Sequence, residues 1–354
     1  MTALRRRLLQ QWFSRETGRL SLGSCLRPLA ALYGILQGLD RRRRERLART
    51  LPQPMAPVVV VGNFVVGGAG KTPTTIALVH ALLQAGWRPG VVSRGYGRST
   101  DAGMAVDADA DPRQVGDEPL LIHRRTGVPV HVDRDRRRAA LALLQSHPQV
   151  DVIVADDGLQ HRQLRRDVEV VVFDERGLGN GRLLPAGPLR ERPGAEPEPQ
   201  MLVLYNHERA SAAWPGAIAS RRIGLAQPLD AWLRGRGEEV QPLSALRGRP
   251  LLALAGIAVP ERFFAALEAA GLQIERLPLP DHHDYEGAPP WPEGTREIVT
   301  TEKDAVKLRR HAAGPTKSWV VGLDLALPAD FTAALLGRLA RATARNARQA
   351  SKIP

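Results

Sequence analysis

A glycine-rich loop that ends in a lysine and a threonine carries the strongest chemical signal in the sequence. The loop follows four consecutive valines at 58–61 and precedes a helical pattern at 74–85. Glycines let backbone N–H groups turn toward phosphate oxygens, the lysine can reach the β- and γ-phosphates, and the threonine hydroxyl can bind Mg²⁺. We therefore predict a nucleotide phosphate site formed by Val65, Val66, Gly67, Gly68, Ala69, Gly70, Lys71 and Thr72.

One position of this loop departs from the full Walker A pattern, G-x-x-x-x-G-K-[ST]. Val65 stands where the pattern has its first glycine. Gly67, Gly68 and Gly70 remain, and a predicted strand and helix flank the loop on the correct sides. The alternative is a glycine turn that binds nothing, which these flanking elements disfavour.

Two adjacent aspartates, Asp156 and Asp157, follow an apolar run at 152–154. In a P-loop protein, a carboxylate at the end of a neighbouring strand binds Mg²⁺, directly or through water, beside the threonine hydroxyl of the loop. We assign this role to Asp156. The alternative is a structural Asp-Asp-Gly turn at the end of a strand.

An Asp-Glu pair, Asp117 and Glu118, stands in front of an apolar helical pattern. Taken alone, it is an N-cap residue followed by an acid in the first helical turn. A kinase that phosphorylates an alcohol nevertheless needs a carboxylate that accepts the hydroxyl proton near the γ-phosphate. Asp117 is therefore a candidate base.

The polar stretch 281–285, Asp-His-His-Asp-Tyr, is the remaining candidate. A solvated loop and a metal site are its alternatives, although no further His or Cys stands at ligand spacing. A histidine of a second domain could also pair with a carboxylate of the first when the domains close. Spacing alone does not choose among these.

The elements around these residues predict an α/β protein with two units. Short apolar runs separated by loop and helix signals are typical of buried parallel strands, and they lie at 58–61, 91–92, 128–130, 152–154, 168–173, 251–254, 298–299 and 320–321. We expect a P-loop NTPase core with a parallel sheet at 51–222 and a smaller C-terminal α/β domain at 223–340. A basic tail at 341–354 is expected to fray.

The N-terminal segment 1–50 has an apolar stretch at 26–39 between arginine clusters at 5–7 and 41–44. Its apolar side chains share one helical stripe, which consists of Leu29, Leu32, Tyr33, Leu36 and Leu39. An amphipathic helix with arginines at its ends can dock on a membrane surface. The alternative is a helix packed on the core with solvated basic ends.

Composition narrows the class of protein further. The 354 residues are long enough for two domains, and the single cysteine, Cys25, fits a reducing compartment. The net charge of +13 raises the question of anionic partners, but arginine carries nearly all of it, so a bias for arginine over lysine is an equal alternative and the charge alone decides nothing. Because aromatic residues make up only 5% of the chain, we expect no nucleic acid. No stretch has the ~20 apolar residues of a spanning helix.

Nine short segments, in this order along the chain, resemble those of the tetraacyldisaccharide 4'-kinase (lipid A 4'-kinase) family. They are VGN at 61–63, GGAGKTP at 67–73, SRGYGR at 93–98, VGDEP at 115–119, DDGLQH at 156–161, LPAGPLRE at 184–191, AGIA at 255–258, DHH at 281–283 and TEKD at 301–304. The resemblance implies an ATP- and Mg²⁺-dependent kinase that phosphorylates the 4'-hydroxyl of a tetraacyl disaccharide 1-phosphate lipid. It also implies work at the cytoplasmic face of the inner membrane, as a peripheral or monotopic protein.

The resemblance also implies roles for individual side chains. Asp117 would be the catalytic base, assisted by His282, with Lys71 and Asp157 in the catalytic centre. Thr72, Glu118 and Asp156 would bind the metal. Arg190 and Glu191 would contact the lipid substrate.

Two other classes of protein compete with this interpretation. Glycine-pair P-loops also occur in nucleotide switches and metallochaperone NTPases, but the sequence Glu-Lys-Asp at 302–304 is not the Asn/Thr-Lys-x-Asp of guanine recognition. A basic nucleic-acid-dependent ATPase would be stimulated by DNA or RNA with a steep salt dependence.

Overall fold

A computed structural model describes residues 10–13, 22–235 and 239–350. The first arginine cluster at 5–7 lies outside the described residues, with the rest of 1–9 and with 14–21. So do residues 236–238 and the end of the expected tail, 351–354. Besides one helical turn at 10–13, the helices are α1 (Leu22–Cys25), α2 (Arg27–Thr50), α3 (Lys71–Gln84), α4 (Pro112–Val115), α5 (Asp117–Thr126), α6 (Arg136–Ser146), α7 (Leu229–Leu233), α8 (Pro260–Ala269), α9 (Glu302–Ala305) and α10 (Ala329–Ala350), with short 3₁₀ helices at Leu243–Leu246 and Arg309–His311.

The first sheet is mostly parallel, as the buried valine runs predicted. Its strands are β1 (Val58–Gly62), β2 (Pro89–Ser93), β3 (Met104–Ala105), β4 (Val130–Val132), β5 (Val152–Ala155), β6 (Val168–Phe173), β7 (Met201–Tyr205) and β8 (Ala217–Ile218). Their spatial order is β3-β4-β2-β5-β1-β6-β7-β8, and only the edge strand β3 runs antiparallel to its neighbour. Both faces of the central strands are buried, because β-branched side chains pack under helices on each side.

The second sheet is smaller and mixed. Strand β9 (Ser220–Arg222) is followed by β10 (Leu225–Pro228), β11 (Gln241–Pro242), β12 (Leu251–Ala255), β13 (Ile274–Pro278), β14 (Glu297–Thr301), β15 (Lys317–Val321) and β16 (Asp324–Ala326). The sheet order is β11-β10-β15-β14-β12-β13, while β9 and β16 form a separate antiparallel pair. The α/β fold class is confirmed, and each sheet takes its strands from one of the two units that the sequence predicted.

The C-terminal helix α10 contradicts the expected fraying tail. Residues 341–350 continue this helix, which packs on the first sheet through the buried side chains of Phe331, Leu335 and Leu339. Beyond them, Asn346 is 5% exposed and donates to the carbonyl of Met55 at 3.3 Å. The arginine- and alanine-rich composition of the tail predicted fraying, because composition does not show that Asn346 binds the backbone of Met55.

Helix α2 carries an exposed apolar stripe. Leu32, Ile35 and Leu36 are 52%, 63% and 57% exposed, and Leu29 and Leu39 lie on the same side. Tyr33, predicted for this stripe, points inward instead and donates from its hydroxyl to the carbonyl of Arg190 at 2.8 Å. Within the described ranges, no helix is both long and apolar enough to cross a membrane.

Candidate active site

The glycine-rich loop lies between β1 and α3, where the parallel strands of the first sheet end. Gly67 and Gly70 adopt left-handed backbone with φ of +93° and +80°. At Gly70 a Cβ atom would lie 1.9 Å from Nδ2 of Asn206. Glycine is therefore required there by both the backbone conformation and the close approach of Asn206.

The carbonyl groups of the loop are bound from outside. Arg176 donates to the carbonyl of Gly68 at 2.8 Å, and Nδ2 of Asn206 donates to those of Ala69 and Gly70 at 3.3 and 3.5 Å. Sequence reasoning missed both side chains, although each lies just after a strand of the first sheet, where ligand-binding residues of α/β proteins concentrate.

Val65 and Val66 are hydrogen-bonded to another segment of the chain, around Leu189, and do not line an open phosphate site. The Val65 side chain is 3% exposed and its backbone forms an isolated antiparallel bridge with Leu189. The N–H of Val66 donates to the carbonyl of Pro188 at 2.9 Å. We predicted these residues in the nucleotide site, but in this structure the N–H of Val66 is already bound. The buried side chain explains why valine fits where the Walker pattern has glycine.

Lys71, Asp157 and Arg190 lie together, as predicted. Nζ of Lys71 is 3.6 Å from Oδ1 of Asp157, and a guanidinium nitrogen of Arg190 donates to the same oxygen at 3.0 Å. Burial raises the pKa of Asp157, but Lys71 and Arg190, with Arg136, outweigh it and hold this pKa below its ordinary value. Asp157 is thus an anion that binds two cations at the mouth of the loop.

Asp156 is buried beside the loop. Strand β5 runs parallel to β1 with Ala155 opposite Val60, so the next residue lies at the loop. The Asp156 side chain is 1% exposed and accepts a hydrogen bond from the Thr75 hydroxyl at 2.8 Å. Burial, followed by the carboxylates of Glu118 and Asp157, raises its pKa to about 7. Such an excess of buried negative charge favours a cation at this point.

The donor set fits Mg²⁺. Asp156 and Glu118 are close enough to interact and would supply carboxylate oxygens, and Thr72, in the first turn of α3, would supply a hydroxyl. In the part of the chain that the structure describes, no group of three or more His, Cys, Asp or Glu side chains encloses a metal by itself. Mg²⁺ is commonly held by one or two carboxylates together with phosphate and water oxygens. These residues therefore fit a cation that is shared with a nucleotide.

Asp117 and His282 meet across the two sheets. Asp117 begins α5, where its Oδ1 accepts from the backbone N–H of Glu118 at 2.9 Å. His282 follows β13 with a φ of +60°, and its backbone N–H donates to the carbonyl of Gly256 at 3.2 Å. Nδ1 of His282 lies 3.0 Å from Oδ2 of Asp117. The structure thus brings the two residues of the predicted dyad into direct contact.

The charges around this pair keep Asp117 ionised. Burial alone would raise its pKa, but the hydrogen bond from His282 and the nearby Lys303 and Lys307 lower the pKa of Asp117 to about 2. The same hydrogen bond raises the pKa of His282, against burial and Lys303. The side chain of Tyr96 is 65% exposed, with its ring centroid 5.3 Å from that of His282. An exposed aromatic face therefore adjoins the pair.

Glu191 does not face the open site. Its side chain is 2% exposed, with one carboxylate oxygen bound by Gln160 and the other by Arg162, both at 3.0 Å. The side-chain oxygen of Gln160 in turn accepts from Arg190 at 3.2 Å. Of the two residues predicted to contact the substrate, Arg190 lies in the site and Glu191 supports it from behind.

Comparison with known proteins identifies the family of the chain. The model of the LpxK family, tetraacyldisaccharide-1-P 4'-kinase, matches residues 22–340 of the chain. The chain belongs to this family. The resemblance seen in the sequence is confirmed, and the family assignment identifies an ATP-dependent 4'-kinase of lipid A biosynthesis.

Relatives in this kinase family match along nearly their whole length. The tetraacyldisaccharide 4'-kinase of Methylibium petroleiphilum is 52% identical over 335 residues, which cover 93% of this chain and 92% of that protein. The tetraacyldisaccharide 4'-kinase of Leptothrix cholodnii is 51% identical, covering 89% and 91%. A crystal structure of LpxK from Aquifex aeolicus in complex with ATP has a TM-score of 0.73 and 26% identity, covering 91% of this chain and 100% of that one.

Three residues of this kinase site gave no signal of their own in the sequence. Thr75 lies one helical turn beyond the loop lysine and binds Asp156. Arg136, at the start of α6, donates to the carbonyl of Asp157 at 3.0 Å, and burial lowers its pKa to about 10. Lys303 reaches the Asp117 region from the second sheet. Only the segment around Lys303 stood in a matching motif, and no role followed from it.

Proposed function

We propose that the pair of Asp117 and His282 accepts the proton of the acceptor 4'-hydroxyl while the loop holds ATP. The 3.0 Å contact between His282 Nδ1 and Asp117 Oδ2 is the observation that carries this proposal. The acceptor is the tetraacyl disaccharide 1-phosphate, and its phosphorylation at the 4' position gives lipid IVA. Because hydrogen-bonded titrating groups share a proton, the pair acts as one unit.

A carboxylate with a low pKa is a weak base, which suits this reaction. Phosphoryl transfer passes through a loose transition state, so orientation of the hydroxyl contributes more than early removal of its proton. Asp117 is fixed at both oxygens, by Glu118 N–H and by His282. Its position is therefore well defined before a substrate arrives, as orientation requires.

The cations at the mouth of the loop have a separate role. Asp157 holds Lys71 and Arg190 at 3.6 and 3.0 Å, so both cations are directed toward the region above the loop. There they stabilise negative charge on the transferred phosphoryl group. Thr72, Asp156 and Glu118 would hold Mg²⁺, which would supply further charge neutralisation when bound.

The exposed stripe of α2 supports docking of this kinase on the cytoplasmic face of the inner membrane. Leu32, Ile35 and Leu36 are each more than half exposed, which is costly in water and favourable in the lipid interface. Toward the end of the helix, Arg42, Arg43 and Arg46 border a shallow depression with Leu39 and Leu47. Arginines beside an apolar surface attract the anionic headgroups of the lipid layer that this surface enters.

Helix α2 also connects that surface to the catalytic centre. The Tyr33 hydroxyl donates to the carbonyl of Arg190 at 2.8 Å, and Arg190 binds Asp157. A lipid substrate held by the helix would thus have its sugar headgroup near the kinase site.

The test is transfer of labelled phosphate from ATP to the lipid, with Mg²⁺ titrated, in wild type and in Asp156→Asn. We expect no transfer without a divalent cation, and an apparent Mg²⁺ affinity at least about 10-fold weaker in the variant. Unchanged Mg²⁺ dependence in the variant would show that Asp156 does not bind the metal. Full activity in the presence of a chelator would show that the reaction does not need a divalent metal.

A further inference from the structure

Lys303 extends from the second sheet into the carboxylate cluster of the first. It is the second residue of α9, directly after β14. Its Nζ lies 3.1 Å from Oε1 of Glu118, 3.3 Å from Nε2 of His282 and 3.5 Å from Oδ1 of Asp281. Its side chain is 19% exposed. One ammonium group therefore contacts both a metal-binding carboxylate and the histidine of the proton-accepting pair.

Hydrogen bonds connect the segment that contains Lys303 with the segment that contains His282. Asp304 accepts from the Tyr285 hydroxyl at 2.8 Å with one oxygen and from the N–H of Gly256 at 3.1 Å with the other. The carbonyl of Gly256 binds the backbone N–H of His282 at 3.2 Å. Helix α9 and the His282 loop are thus tied together, and the distance between Lys303 and His282 does not depend on closure of the two sheets.

The contact with Nε2 restricts the histidine. A lysine ammonium has three N–H donors and no acceptor, so an imidazole nitrogen beside it must accept. In the neutral ring, Nε2 of His282 then accepts from Lys303 and the ring hydrogen is on Nδ1. Oδ1 of Asp281 lies 3.9 Å from Nε2, which is too far for a hydrogen bond. The hydrogen on Nδ1 is then donated to Oδ2 of Asp117, 3.0 Å away. Lys303 selects the tautomer in which His282 binds Asp117.

We propose that Lys303 is a positioning residue that fixes the tautomer of His282 and the orientation of Glu118. Through it, one side chain of the second sheet aligns the pair that accepts the hydroxyl proton and a carboxylate of the metal site. This inference rests on the roles that we propose for Asp117, His282 and Glu118.

Lys307 offers an internal comparison. Its Nζ is buried, lies 3.6 Å from Oδ2 of Asp117 and 3.9 Å from Oδ1 of Asp304, and has no hydrogen-bond partner among the residues described. It supplies charge near Asp117 without contacting His282. If the lysines acted by charge alone, replacing either would have the same effect. Only Lys303 is expected to act through the histidine ring.

The kinetic test is a double-mutant cycle of Lys303→Met and His282→Asn. We expect Lys303→Met to lower kcat by about 10- to 100-fold, with the KM for ATP within about twofold. In the His282→Asn background the same change should cost at least about threefold less than in wild type, because only its contact with Glu118 is left to lose. Lys317→Met, which removes an exposed lysine over the Trp319 ring, should leave kcat unchanged. Equal losses in both backgrounds would overturn the proposal.

A spectroscopic test does not depend on turnover. In protein with ¹⁵N-labelled histidine, the His282 signals are assigned by their absence from His282→Asn. We expect Nε2 of His282 to be free of hydrogen in wild type at about pH 8 and to gain hydrogen in Lys303→Met, while Lys307→Met keeps the wild-type pattern. A hydrogen on Nε2 in wild type would overturn the proposal.

These outcomes separate the two proposals. Full turnover in His282→Asn would refute the role of the pair, whatever the state of the Nε2 nitrogen. If Lys303→Met does not fold, Lys303→Leu, which also lacks a donor, replaces it under the same criteria, and the measurement on wild type stands by itself.

Discussion

Replacing Asp117 by asparagine is expected to abolish most turnover while ATP binding is kept. Asparagine preserves the side-chain oxygen that accepts from the Glu118 N–H, but it removes the charge that faces His282. General-base groups contribute about 100- to 10,000-fold to rate, which corresponds to about 3–5 kcal/mol of transition-state stabilisation. The KM for ATP should stay within about threefold, because the loop and Lys71 are untouched.

The same substitution should also affect stability in a pH-dependent way. The pKa of Asp117 is lowered from 3.8 to about 2, which corresponds to about 2–3 kcal/mol of stabilisation of the folded state at neutral pH. Because the folded pKa lies below the unfolded one, this stabilisation is present above about pH 4 and is lost as the pH falls toward 2. Asparagine lacks it at every pH, so the difference from wild type should shrink on acidification.

Steady-state kinetics at saturating ATP and Mg²⁺, with urea unfolding at neutral and acidic pH, would measure both effects. Asp109→Asn is the matched control, since this aspartate is 78% exposed and forms an ion pair with Arg309 at the surface, away from His282. Turnover of Asp117→Asn within about threefold of wild type would refute the assignment of the base. A loss of stability that is equal at both pH values would refute the electrostatic account of Asp117.

Three further changes test other parts of the site. Lys71→Met should weaken ATP binding by about 10- to 100-fold, because a charge-assisted contact to phosphate is lost; unchanged binding in titration calorimetry would exclude that contact. Tyr96→Ala should raise the KM for the lipid about 3- to 10-fold and leave that for ATP unchanged, if the exposed ring packs on the sugar; an equal rise for both substrates would contradict this. Ile35→Glu should reduce flotation with anionic vesicles, whereas Leu83→Glu, at an exposed leucine of α3, should not; equal flotation of the two variants would argue against docking through α2.

The parts of the site that the sequence predicted are those that depend on residues close together in the chain. The glycines before Lys71 and the aspartate after the β5 valines depend on strand, turn and helix signals within a few residues. Strand β4 shows the limit of such signals, since the apolar run at 128–130 gave a strand that the structure has at Val130–Val132. The order of strands and the mixed second sheet were beyond any local pattern.

The parts of the site that local sequence could not predict depend on contacts between distant residues. Asp117 and His282 are 165 positions apart, and only the resemblance to a family, not their spacing, paired them. Lys303 stands in a segment that reads as an ordinary helical turn, and its role appears only when the second sheet meets the first. Glu191 was grouped with Arg190 because both belong to the segment 184–191 of the family resemblance, yet Arg190 binds Asp157 whereas Glu191 is buried and bound by Arg162.

The most direct test of the central claim is the position of the phosphate in the product. The chain is incubated with γ-labelled ATP, Mg²⁺ and tetraacyl disaccharide 1-phosphate in vesicles, and the isolated lipid is analysed by mass spectrometry and ³¹P NMR. We predict a lipid that carries the transferred phosphate on its 4'-hydroxyl and retains the original one at position 1. Release of free phosphate with the lipid unmodified would contradict the account.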